Sequence, residues 1–153
     1  MARIDRASRD IATSTERVYA ALVHPEARVE WLAPEGMSCR FEWFDARQGG
    51  GYRLVLTYDD NSGSPGKATA DSDIVDARFM ELVPGERVVE AIDFVSDDPA
   101  FAGTMTMTWS LTPHGNGSRV EVTAVDVPSG ISPADHATGL ASSLEHLAAY
   151  LER

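Results

Sequence analysis

The sequence predicts an α+β fold, an antiparallel sheet of roughly seven strands packed against a long C-terminal helix. Two patterns carry this expectation. Apolar and polar residues alternate along most of the middle of the chain, as strands with one buried face require. The C-terminal segment then switches to steps of three and four, with Ala137, Leu140, Ala141, Leu144, Leu147, Ala148 and Leu151 forming one stripe.

Taken in order, a first strand is expected within the opening residues, followed by a helix beginning at Thr13-Ser14-Thr15-Glu16. There the Thr13 hydroxyl and the Glu16 carboxylate can satisfy free amides as a capping box, with Val18, Ala21 and Leu22 on one face. Pro25 stops this helix and opens a short second one toward Trp31 and Leu32, since proline at the first helical position loses no hydrogen bond. Period-two sets follow: Cys39, Phe41 and Trp43; Tyr52, Leu54, Leu56 and Tyr58; Met105, Met107, Trp109 and Leu111; Val120, Val122 and Ala124. Each set should line one face of the sheet. Extended runs near Ser72 to Leu82 and Arg87 to Val95 are separated by Val83-Pro84-Gly85-Glu86, and Pro113-His114-Gly115-Asn116-Gly117 joins the last two strands. Ser132-Pro133-Ala134-Asp135 caps the final helix, expected near Ser132 to Arg153.

The composition suits one core. The chain has 153 residues, 43% hydrophobic, and a chain of this length hides about 70% of its unfolded surface. No linker, repeat or low-complexity tract divides it, so residues 1–153 are expected to form a single domain. Thirteen Lys and Arg against 24 Asp and Glu give a net charge of -11. Nucleic acid and anionic lipid, which need clustered cations, are therefore not expected as partners. Cys39 is the only cysteine, which excludes an internal disulfide and a multi-cysteine metal site. The start, Met1 to Arg6, lacks the apolar stretch of an export signal, and nowhere do ~18 apolar residues run together. A soluble, cytoplasmic protein is expected.

Several segments together resemble the START-like helix-grip superfamily (SRPBCC) and, within it, the activator-of-heat-shock-protein-ATPase (AHSA) family. They are Val18-Tyr19-Ala20-Ala21-Leu22 with His24-Pro25-Glu26 and Trp31; Gly50-Gly51-Tyr52-Arg53; Phe79 to Val89; and Gly139-Leu140-Ala141-Ser142-Ser143-Leu144. The resemblance spans nearly the whole chain and implies a curved sheet gripping the last helix around a cavity. Family members often carry Trp after the helix glycine, where this chain has Leu140, and the smaller side chain would leave a wider interior.

The cavity wall is expected among Trp31, Phe41, Trp43, Tyr52, Phe79, Met105, Met107, Trp109, His136, Leu140 and Leu144. Methionines suit such a wall because they adapt to irregular ligands. Glu90 interrupts the apolar line of Val88, Ile92 and Phe94. If that face is inward its carboxylate enters the cavity; if outward it is a solvated strand charge, the reading favoured here. His136 borders the helix stripe and is read first as a rim histidine, with a pocket acid or base as the alternative. Asp135 reads as the helix-cap acid, Asp71, Asp73 and Asp76 as an acidic strand edge, and Cys39 as a small core residue. Gly63-Ser64-Pro65-Gly66-Lys67-Ala68-Thr69 imitates a phosphate loop, but Ala68 stands where a magnesium-holding hydroxyl is needed. Gly49-Gly50-Gly51 and Asn116-Gly117-Ser118 read as turns. His136 and His146 are about 15 Å apart along one helix, too far to share a metal, and His24 and His114 fall in connections. No metal and no cofactor are expected.

The leading expectation is therefore a module that binds a small hydrophobic molecule between sheet and final helix. An enzyme of the cyclase or hydrolase type found among SRPBCC relatives is the alternative, with Glu90 as base and His136 as proton donor. A chaperone ATPase co-factor role is the third. Co-chaperones bearing the family name join the START-like unit to a separate N-terminal chaperone-binding domain, for which the early first strand leaves no room, so no stimulation is expected.

Overall fold

Short turns and alternating side chains set up seven strands, and two small helices fall between the first and second of them. The computed structural model describes residues 3–33, 36–58 and 72–152. Its elements are β1 (Ile4–Ile11), α1 (Thr15–Val23), α2 (Pro25–Arg28), β2 (Met37–Asp45), β3 (Gly51–Tyr58), β4 (Ser72–Val83), β5 (Arg87–Phe94), β6 (Thr104–His114), β7 (Gly117–Val125) and α3 (Pro133–Leu151). The strands form one antiparallel sheet in the order β1-β7-β6-β5-β4-β3-β2. The chain thus starts beside its last strand, and β1 and β2 are the two edges.

The first helix begins one residue later than the sequence suggests. Ser14 is the cap, its Oγ accepting from the Arg17 amide at 3.3 Å. Thr13 is instead buried, and its carbonyl accepts the Ser118 hydroxyl at 2.6 Å, so it docks the loop onto β7 rather than opening the helix. His24 then separates α1 from α2 in extended backbone, and Pro25 opens α2 without loss of a donor.

Two register slips redirect side chains. The first lies between Phe41 and Trp43, so that Phe44, opposite Tyr52, turns inward while Trp43, opposite Arg53, is 50% exposed. Trp43 is therefore not a wall residue, because one extra residue in a strand reverses the facing of everything beyond it. The second slip lies between Phe79 and Glu81. β3 also crosses very close to β4 at its start: a Cβ on Gly51 would run into the Ala77 carbonyl. The acidic edge expected at Asp73 and Asp76 is not an edge, since β4 lies between β3 and β5. Asp76 takes a two-pronged bond from Arg53, at 2.7 and 2.8 Å, and Asp73 is buried. Asp71 and the phosphate-loop imitation at 63–69 lie outside the described residues.

α3 starts at Ser132, whose Oγ accepts from the Asp135 amide at 3.0 Å. It buries Leu140, Ser143, Leu144, Leu147, Ala148 and Leu151, while Ala137 and Ala141 stay exposed, so the stripe is narrower than expected. Near its start His136 meets Asp5, and just past its end Glu152 accepts from the Ala12 amide at 3.0 Å. The helix therefore runs alongside β1 in the same direction. Its apolar stripe joins Met105, Trp109, Val120 and Val122 in one core, with Trp31 and Phe79.

Candidate functional site

The core is not filled evenly. Beneath the first half of α3 lies an apolar cavity of about 170 Å³, walled by Leu54, Val75 and Ile92 with Met105, Met107, Trp109 and Leu140, and bordered by Gly139. Leu56, Phe94, His136 and Gly139 belong both to this inner cavity and to a wider, more polar outer one of about 690 Å³. The two are therefore contiguous, with the outer cavity bounded by Tyr58, Asp73, Phe101 and the loop into α3.

At the inner end stands an ion pair. Arg28 is 1% and Glu90 0% exposed; Nη1 lies 2.5 Å from Oε1 and Nη2 3.0 Å from Oε2. The arginine also donates from Nη1 to the Leu22 carbonyl at 3.1 Å and from Nη2 to the Tyr52 hydroxyl at 3.2 Å. Trp109 Nε1 donates to Oε2 of Glu90 at 3.4 Å. The guanidinium lies against the faces of Tyr52 and Trp109, 4.9 and 6.0 Å from the ring centroids, an attraction that strengthens where water is excluded. Burial, the largest single influence, would lower the pKa of Arg28, but the Glu90 carboxylate together with Tyr52 and Cys39 more than offsets it and the net shift is upward. Burial likewise pushes the Tyr52 hydroxyl up, so it stays protonated.

These groups are placed by ordinary local causes. The elbow between α1 and α2 turns Arg28 inward. Trp31, just beyond, gives its Nε1 proton to the Ala21 carbonyl at 3.1 Å and meets Trp109 edge to face at 5.5 Å. Tyr52 is held by rings: Phe44 stacks on it at 5.4 Å, and Phe41 and Phe79 meet it at 5.2 and 5.7 Å. At the junction of the two cavities, His136 Nδ1 lies 2.7 Å from Asp5 Oδ2, and Asp5 is gripped in turn by Arg3 at 2.7 and 3.1 Å. A carboxylate can only accept, so Nδ1 is the donor. Arg3, and after it His136, hold the Asp5 carboxyl below the usual range.

Of the residues singled out in the sequence, Tyr52, Met105, Met107, Trp109, His136 and Leu140 line the inner cavity. Trp31, Phe79 and Leu144 are buried in the core around it, and Phe41 is packed behind Tyr52. Glu90 corrects the favoured outward reading: it faces inward, because Arg28 supplies the charge that makes its burial tolerable. Both of its oxygens are occupied, so action as a base would require the pair to open. Cys39 is half-buried, its thiol 3.7 Å from the Val29 carbonyl, and burial pushes its pKa up. Among the described residues no cluster of three or more His, Cys, Asp or Glu is arranged to hold a metal, and no helix is long and apolar enough to cross a membrane.

Arg28, Asp5 and Phe44 escaped the sequence reading. The one available signal for Arg28 was Glu90 itself, since an inward carboxylate demands a cation; Glu26 and Glu30 flank Arg28 in sequence and made it look like an ordinary surface charge.

An open seven-stranded antiparallel sheet gripping a C-terminal helix over a cavity defines a START-like, helix-grip protein, a class that supports a ligand-binding or co-chaperone-type module. The family profile "Activator of Hsp90 ATPase homolog 1-like protein" matches residues 12–152, and the chain belongs to that family. Among solved structures, protein CV1439 from Chromobacterium violaceum is 33% identical, with a TM-score of 0.86 over 98% of this chain and 97% of that one. A protein from Arthrobacter aurescens, 16% identical, gives a TM-score of 0.81 over 97% and 86%. Protein MLL2253 from Mesorhizobium loti, 19% identical, gives 0.74 over 99% and 98%. The last two show likeness of fold alone. No curated protein matches the chain.

Proposed function

We propose that this chain is a cytoplasmic binding module for a small, largely apolar molecule held between the sheet and α3. The observation that carries this reading is the inner cavity: methionine- and aromatic-walled, closed at one end by a paired charge, and continuous with a wider outer cavity. Natural cores pack to near crystal density, so a cavity of this size beside well-packed neighbours costs stability and suggests use. Its volume suits a molecule of about one ring, since an engineered apolar cavity of about 150 Å³ holds benzene.

Thermal shift against a library of small hydrophobic metabolites tests it. A ligand at a hundred times its dissociation constant adds about 2.7 kcal/mol to the folded state, an upward shift that is easily read. Uniformly flat melting curves, with a crystal structure showing the cavity closed by side chains, would contradict the reading. We further propose that the chain does not stimulate a chaperone ATPase; a saturable, salt-sensitive rise in chaperone turnover on adding it would reverse that.

A further inference from the structure

Building on the ligand-binding reading above, we propose that the inner cavity selects small, neutral, apolar molecules that carry one hydroxyl, a phenol or an alcohol, and that His136 Nε2 accepts the hydrogen bond from that hydroxyl. His136 Nδ1 donates to Asp5 Oδ2 at 2.7 Å. Asp5 is itself fixed, because Arg3 holds both of its oxygens and is anchored on the Ile131 carbonyl. A neutral imidazole has one proton for two nitrogens. With that proton committed to Asp5 through Nδ1, Nε2 presents a lone pair. That nitrogen is open: it has no hydrogen-bond partner among the described residues, yet it is not sealed from a water-sized atom, since the one unpartnered side-chain nitrogen or oxygen so sealed among them is Arg28 Nε. The nitrogens of an imidazole point to opposite sides of the ring. With Nδ1 aimed at β1, the edge of the sheet, Nε2 aims back across it toward β3 and β5. Leu56 of β3 and Phe94 of β5 share the junction of the two cavities with His136 and Gly139, and of these four only His136 has a polar side chain.

Proton count and charge decide the class of molecule. A neutral His136 has no proton left to give, so a ketone or an ether gains nothing from it. A pure hydrocarbon fits the walls but leaves Nε2 unmatched where it displaces water. A carboxylate would have to pass Asp73, Asp98 and Asp135, which border the outer cavity with no Lys or Arg among the described residues that line it. An ammonium would lose its hydration beside Leu56, Phe94 and Gly139, while the carboxylate on the ring, Asp5, is already paired with Arg3. A neutral hydroxyl satisfies both the walls and the lone pair.

The test uses the unmodified ¹³C,¹⁵N-labelled protein at pH 8 and three probes sharing one ring: phenol, toluene and benzylamine. Long-range ¹H–¹⁵N correlation of the imidazoles, each connected to its residue through the labelled side chain, reads which nitrogen carries the proton. Before any probe is added, His136 is expected to carry its proton on Nδ1 alone. Phenol is expected to saturate and move the Nε2 resonance toward that of a protonated nitrogen. Toluene, of nearly the same shape, is expected to saturate and leave it in place, and benzylamine to bind more weakly than phenol. In His136→Phe the preference for phenol over toluene is expected to fall about five- to tenfold. A proton on Nε2 in the free protein, equal displacement by phenol and toluene, benzylamine binding as tightly as phenol, or an unchanged preference in folded His136→Phe would overturn the inference while leaving the binding reading intact. Failure of all three probes to saturate at millimolar concentration would overturn both together.

Discussion

At the scale of single residues, the Arg28–Glu90 pair has the largest energetic consequences. Each partner is affordable inside only because of the other, so removing one leaves a bare charge in the core. Arg28→Ala or Glu90→Ala is expected to lose about 3–5 kcal/mol, read as a lower denaturant midpoint at unchanged slope. The double replacement Arg28→Met with Glu90→Met is expected to cost much less than the sum, because it removes both desolvated charges together. Additive losses would mean that the two groups are not coupled as the 2.5 Å contact implies. The same pair shows where residue-level reading stops. Glu90 was visible as an oddity in an apolar line, but its facing depends on a cation 62 positions earlier in the chain. Trp43 failed for the opposite reason: alternation placed it inward, and one bulge that leaves no mark in the pattern turned it to solvent.

At the scale of elements, α3 shows a trade between stability and space. Gly139 sits inside the helix, where glycine is roughly 0.5–1 kcal/mol worse than alanine, and nothing lies within 4 Å of a Cβ built on it. It also borders both cavities. Gly139→Ala is therefore expected to raise the melting temperature of the free protein slightly while weakening uptake of any ligand that passes from the outer to the inner cavity. A gain in both would show that the junction is not a passage. The bond between α3 and β1 through His136 and Asp5 gives a pH signature. The Asp5 carboxyl is held below its unfolded value, chiefly by Arg3 and then by His136. Its contribution is thus complete above about pH 4 and is lost as pH falls through its folded value. Asp5→Asn is expected to be less stable than wild type at pH 6 and to lose less of its remaining stability between pH 5 and 2, by denaturant titration across that range. Elements themselves were largely legible: the stripe from Leu140 to Leu151, the proline opening α2 and the β6–β7 turn follow from period and turn chemistry. The cap slipped from Thr13 to Ser14 because two hydroxyls compete there and Ser118, far along the chain, claims the first residue's carbonyl.

At the scale of the whole molecule, the order of elements and the family resemblance made the grip of sheet on helix readable, whereas the cavity was implied by the resemblance and only its apolar wall by the residues. Whether a core is filled depends on volumes meeting across elements, and no local pattern records that sum. Its position beneath Gly139 and Leu140 nevertheless makes it easy to close. The most direct test of ligand binding is the ligand-induced melting shift of wild type against Leu140→Trp, which puts the indole often found in the family where this chain has leucine. With a small neutral ligand that raises the wild-type melting temperature, the variant is expected to remain folded, melt at or above the ligand-free wild type, and show little or no ligand shift. An undiminished shift in a folded Leu140→Trp protein would place binding elsewhere and contradict the account.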